Sequence, residues 1–112
     1  MEAAMREGLY KVEFHTHLGS GSGVAALYGG VIGGGDRGLC YSGAYSFADD
    51  LFSAEVDIEP HVDASGIRTV FGVAKARVSL KGRVVGDQGL LTGTTPAAPG
   101  VIFEAHLTKL PE

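Results

Sequence analysis

The sequence predicts an all-β domain, an antiparallel barrel or sandwich of about seven or eight short strands. Two stretches alternate between apolar and polar residues, Leu9 to His17 and Leu51 to Glu59, which is the period-two pattern of half-buried strands. The remaining apolar runs are short and are set apart by glycines, most densely in Gly29–Tyr45, with seven glycines in 17 residues. Glycine serves where φ must be positive or where a second backbone comes close, so these positions are expected to be hairpins and barrel corners.

Taken in order, Leu9–His17 places Tyr10, Val12 and Phe14 on one face and Lys11, Glu13, His15 and His17 on the other. Gly19–Gly21 is expected to turn and Ser22–Tyr28 to form the second strand, interrupted by Gly29-Gly30 and continued briefly by Val31-Ile32. Gly33–Asp36 is expected to be the next turn, with Asp36 bonding its neighbouring amides. The strand Leu39–Phe47 carries Tyr41 and Tyr45 on one face with Gly43 between them, where a missing side chain allows a sharp bend or an aromatic ring lying across. Ala48–Asp50 closes a hairpin. Phe52, Ala54, Val56 and Ile58 then point inward until Pro60, which cannot donate to a ladder. Val62–Gly72 is the least regular part. A short helical turn is expected near residues 65–72, capped by Asp63 or Ser65. Strands resume over Ala76–Val85, Leu90–Thr95 and Val101–Leu110, and the proline-bearing segment Thr94–Gly100 forms a loop.

Residues 1–112 are read as one domain, with no internal repeat and no linker. The net charge of −4 argues against direct nucleic-acid binding, which needs a basic surface to displace counterions. A single cysteine, Cys40, excludes an internal disulfide; a small buried thiol in a reducing compartment is expected. The longest uncharged run, Leu18–Gly35, spans 18 residues, but its glycines would break a membrane helix. With no signal-peptide pattern at the N-terminus, a cytoplasmic location is expected.

Motifs that carry chemistry are sparse. His15 and His17 share a strand face and could reach one ion, but a stable site needs further ligands, and His61, His106, Asp57 or Glu104 cannot be placed beside them from sequence; two solvated histidines are the expectation. Gly19-x-Gly21-x-Gly23 lacks the helix that a phosphate cradle requires. No nucleophile elbow surrounds Ser20, Ser22, Ser42 or Ser46. No catalytic residue, metal site or cofactor is therefore assigned, and a non-enzymatic role is expected. Tyr10, Tyr28, Tyr41 and Tyr45 either fill the barrel or line a cavity for a small apolar ligand, with filling favoured in so short a chain.

The order Gly8-Leu9-Tyr10, Gly21-x-Gly23, Gly34-Gly35-Asp36 and Tyr41-Ser42-Gly43-x-Tyr45 resembles the GrlR family, negative regulators of type III secretion gene expression in enteropathogenic bacteria. That resemblance implies a lipocalin-like β-barrel, a homodimer, and regulation by sequestering a transcriptional activator, not by contacting DNA. The family's acidic hairpin falls at Phe47–Asp50, where Asp49 and Asp50 alone supply acids. These two are the expected partner-binding residues. The alternative is a small-molecule-binding barrel of unrelated role.

Overall fold

A computed structural model describes residues 5–62 and 69–111. Eight strands form one closed antiparallel barrel, each paired with its sequence neighbours, and the last closing on the first. The strands are β1 (Gly8–Thr16), β2 (Gly19–Tyr28), β3 (Val31–Gly35), β4 (Leu39–Ala48), β5 (Leu51–Pro60), β6 (Ala76–Val85), β7 (Gln88–Thr94) and β8 (Phe103–Lys109). The all-β barrel expected from the alternation is the fold observed. Closure pairs every strand on both sides over part of its length, which an open sheet of this size cannot do.

Three boundaries differ from the sequence reading. Gly19–Gly21 is strand, not turn, because the chain reverses at His17-Leu18. Val31–Gly35 is a strand of its own after the tight turn at Gly29-Gly30, where both residues have positive φ. The next turn therefore falls at Asp36–Gly38. In each case a glycine taken for a breaker lies inside a ladder. Gly21 shows why: a Cβ there would lie 2.8 Å from Phe14 Cε1, so the ring of Phe14 occupies the place of the missing side chain.

Gly43 serves the bend. It stands opposite Val56 on β5, and a Cβ would lie 2.0 Å from Glu55 O and 2.9 Å from Val56 Cα. Strong coiling of β4 against β5 presses the two backbones together here, and only glycine fits.

The expected helical turn is not found in the described part of its range. Asp63 and Ser65, and residues 63–68 as a whole, lie outside the described residues. Thr69–Gly72 is a β-turn, closed by Gly72 N donating to Thr69 O at 2.9 Å. It delivers Phe71, 2% exposed, into the end of the barrel. There Phe71 stacks on Phe103 (5.5 Å between ring centres), Phe103 on Phe14 (5.7 Å), and Phe14 meets Tyr41 edge to face at 6.0 Å. Each such pair adds about 0.5–1.5 kcal/mol beyond its buried area. The turn is anchored by buried Thr16, whose Oγ1 donates to Val70 O, and by Thr69 Oγ1, which donates to Val73 O.

A second latch sits at the same end. Asp36 Oδ1 accepts from Gly38 N and Leu39 N, and Oδ2 accepts from the Tyr41 hydroxyl at 2.6 Å. Burial alone would raise the Asp36 pKa, but those three hydrogen bonds and nearby His61 outweigh it and hold the carboxyl below its ordinary value of 3.8. Burial, then the bond to Asp36 and its charge, push Tyr41 well above 10.0. A lowered carboxyl stabilises the fold above the unfolded-state pKa and ceases to do so as pH falls through the folded one. A raised phenol stabilises it below its unfolded-state pKa and loses that effect as pH rises toward the folded value. Stability measured by urea unfolding is thus expected to fall below pH 3.8 and above pH 10.0, and Tyr41→Phe is expected to flatten the alkaline limb. An alkaline limb unchanged in that variant would place the transition elsewhere.

Candidate functional site

Strand direction puts the turns Gly29-Gly30, Asp49-Asp50 and Gly86-Asp87 at one end of the barrel, together with residues 5–7. The aromatic seal occupies the other end. The hairpin β4–β5 is pinned by the pairing Ala48↔Leu51, which leaves Asp49 and Asp50 as a two-residue loop. Their φ angles are 54° and 66°, making them the non-glycine residues with positive φ among the described residues. Two left-handed residues in a two-residue hairpin define a type I′ turn, whose twist matches the strands but whose favoured sequence is Asn-Gly. Aspartate tolerates this conformation better than most side chains, yet the second position still carries a strain that glycine would not.

Asp50 O accepts from Val84 N at 3.0 Å, tying the turn to β6. Neither carboxylate takes part in an ion pair among the described residues. The other acids at this end are engaged: Asp87 receives Arg6 in a forked pair at 2.7 Å, and Glu7 Oε2 accepts from Gly29 N. Asp49 and Asp50 therefore project as a free acidic tip.

Sequence reasoning missed the exposed apolar residues at this end. Leu51, Val85, Val31 and Tyr28 lie at the same barrel end with 52%, 63%, 62% and 48% exposure. Each occupies an outward position: Tyr28 pairs with Val31, Val31 with Ala44, Leu51 with Ala48 and Arg83, and Val85 with Gln88. The signal was present, because Leu51 and Val85 break the polar face of otherwise alternating strands. Leu51 adjoins the tip in sequence, and Val85 follows Val84, whose N–H bonds Asp50 O, so these two exposed apolar residues flank it.

The four tyrosines separate. Tyr41 lines the interior. Tyr10 is fully buried, its hydroxyl donating to Arg6 O at 2.6 Å. Tyr45 is half-buried and stacks on Phe52 at 5.4 Å. Tyr28 corrects the expected grouping, since it stands on the outer face. Free space inside the barrel amounts to about 60 Å³, far below the ~300–1,000 Å³ of ligand pockets. Apolar side chains fill the lumen, and as folded it has no room for the small apolar ligand of the alternative reading.

His15 and His17 are not brought to a common centre. His15 Nε2 meets Glu104 at 2.8 Å across β1 and β8, whereas His17 lies beyond the strand in the turn. Among the described residues no group of three or more His, Cys, Asp or Glu could hold a metal ion. Cys40 is a correction: it is half-buried on the outward face of β4, opposite Gly35 and Glu59, and not a core thiol.

Charge divides the barrel wall. The outward positions of β2, β3 and β4 carry no charged residue, whereas those of β5 and β6 carry Glu55, Asp57, Glu59, Arg77, Lys81 and Arg83. Among the described residues no helix is long and apolar enough to cross a membrane. Compared with known proteins, the chain matches no family model and no curated protein sequence.

Proposed function

We propose that this barrel is a protein-binding regulator whose acidic tip, Asp49-Asp50, docks on a basic surface of its partner. The sequence resemblance to the GrlR family suggests a transcriptional activator as that partner. The observation that carries the reading is the tip itself: two unpaired carboxylates held in a strained turn that Asn-Gly would fill better. Strain retained at a surface position, with no side-chain contact in return, is what a functional constraint leaves behind. The exposed Leu51 and Val85 flanking the tip supply the desolvated contact that charges alone do not, and the charges supply orientation and rate of encounter.

The test separates stability from binding. Asp49→Asn with Asp50→Gly is expected to raise unfolding stability by ~1 kcal/mol and to weaken capture of the partner from the native cell. Asp49→Lys with Asp50→Lys is expected to abolish capture and release the partner's effect on reporter transcription, with the melting transition still cooperative. Capture and transcription unchanged in both variants would refute the reading.

A second copy of the chain, implied by the same resemblance, packs in this reading on the uncharged outer face of β2–β4, where no charge must be desolvated. Val24→Lys at the centre of that face is expected to convert a dimer to a monomer in sedimentation equilibrium. Wild-type protein that sediments as a monomer at high concentration would contradict this arrangement.

A further inference from the structure

We propose that the short third strand leaves an open strand position beside Gly19–Ser22, into which an extended peptide segment of a partner protein adds as a β-strand. Its apolar side chains enter toward Phe14 and Leu39, and an acidic side chain meets Arg37. This site is at the opposite end of the barrel from Asp49-Asp50 and does not depend on that tip.

The opening follows from unequal strand lengths. β2 pairs with β1 along Gly19–Leu27, but with β3 only along Val24–Tyr28. In an antiparallel ladder alternate residues direct their N–H and C=O to opposite neighbours; the hairpin pairs Thr16↔Gly19 and Tyr28↔Val31 set the phase, so Gly19 and Gly21 face β1 while Ser20 and Ser22 face away from it. Those groups have no backbone partner among the described residues. The loop that follows β3 does not substitute for it. Asp36 N bonds Leu39 O, Asp36 Oδ1 takes the amides of Gly38 and Leu39, and Gly38 O accepts from His61 N. The polar groups of this loop close on themselves and on the end of β5, leaving β2 an exposed edge.

Beside this edge is a cleft of about 490 Å³ floored by Phe14, Leu39 and Val70. Phe14 is reachable because Gly21 carries no side chain over it. Arg37 stands exposed at the rim and takes part in no ion pair among the described residues. An unpaired edge supplies main-chain hydrogen bonds, and adjacent apolar depressions select alternate side chains; together they make a site for strand addition. The free guanidinium adds a preference for an acidic residue.

Two measurements on the full chain decide it. In the free protein, amide exchange at the edge residues of Gly19–Ser22 is expected to be fast relative to Ala25 and Leu27, and independent of protein concentration. The probe is the capped peptide acetyl-Thr-Leu-Glu-Leu-Thr-Leu-amide. It is expected to shift the amide resonances of Ser20, Ser22 and Arg37 but not Gly86, saturating with a dissociation constant below ~1 mM. N-methylation of alternate peptide amides is expected to weaken binding at least ~10-fold, the loss of about two ladder hydrogen bonds. Replacing its Glu by Lys is expected to weaken binding to wild type and strengthen it to Arg37→Glu. The proposal is overturned by edge amides already protected in the free protein, by protection that grows with protein concentration (a second copy in the position), by absence of shifts in β2, or by equal binding of the N-methylated peptide.

Discussion

Gly43→Val is expected to abolish the cooperative fold. The substituted Cβ would meet Glu55 O at 2.0 Å and Val56 Cα at 2.9 Å. Both contacts are backbone, so no rotamer change relieves them. The β4–β5 ladder, ten residue pairs long, would have to part at its centre, and with it the outward turn that closes the barrel. A penalty above ~3 kcal/mol is expected for a core overpacked against main chain, a large share of the total stability of a domain this size. Circular dichroism and urea unfolding check it: the variant should lack a sharp transition, whereas Ser42→Val, one residue away on the outer face, should keep one. A folded Gly43→Val protein of wild-type stability would mean that the strands do not coil there.

Phe71→Ala is the second large effect, at about 3–5 kcal/mol. Phe71 contributes nothing to any ladder, yet it is 2% exposed and continues the stack through Phe103 to Phe14. Its removal opens the barrel end and joins the side chain's volume to the interior space. A small apolar probe such as benzene, excluded from a lumen of about 60 Å³, should then bind and recover part of the lost stability. Phe71→Leu should restore most of the loss. If Phe71→Ala unfolds at the wild-type urea concentration, the loop is not a plug and the seal belongs to Phe14 and Phe103 alone.

These two residues also show what the sequence made legible. Gly43 could be read because a glycine between Tyr41 and Tyr45, in the register of inward side chains, has no role in an unstrained strand. The β5 and β6 faces could be read because one side of each is polar apart from Leu51 and Val85 at one end. Phe71 could not be placed, because its position depends on a turn anchored by the Thr16 hydroxyl, which reaches Val70 from far off in the sequence. Gly19–Gly21 and Gly33–Gly35 were misread for one reason. A glycine inside a strand and a glycine in a turn look alike until the aromatic ring or neighbouring backbone that fills its place is known. At the candidate site the acids were evident from sequence. Their left-handed conformation, their lack of partners and the exposed apolar residues flanking them were not, since these depend on register: Ala48 opposite Leu51 sets the turn, and β6 brings Val85 to the same end.

Apolar side chains fill the lumen. Its interior space is about 60 Å³, and no cluster of three or more His, Cys, Asp or Glu that could hold a metal ion occurs among the described residues. The acidic tip and the open edge beside Gly19–Ser22 are at opposite ends of the barrel.

Photo-crosslinking in the native cell tests the central claim most directly. A benzoylphenylalanine at position 51, beside the tip, is predicted to give a discrete adduct with a basic protein, lost when Asp49 and Asp50 are both changed to Lys. The same probe at position 79, on the charged wall of β6, is predicted to give none. Equal adducts from both positions, or an adduct at 51 that survives the double lysine change, would contradict the account.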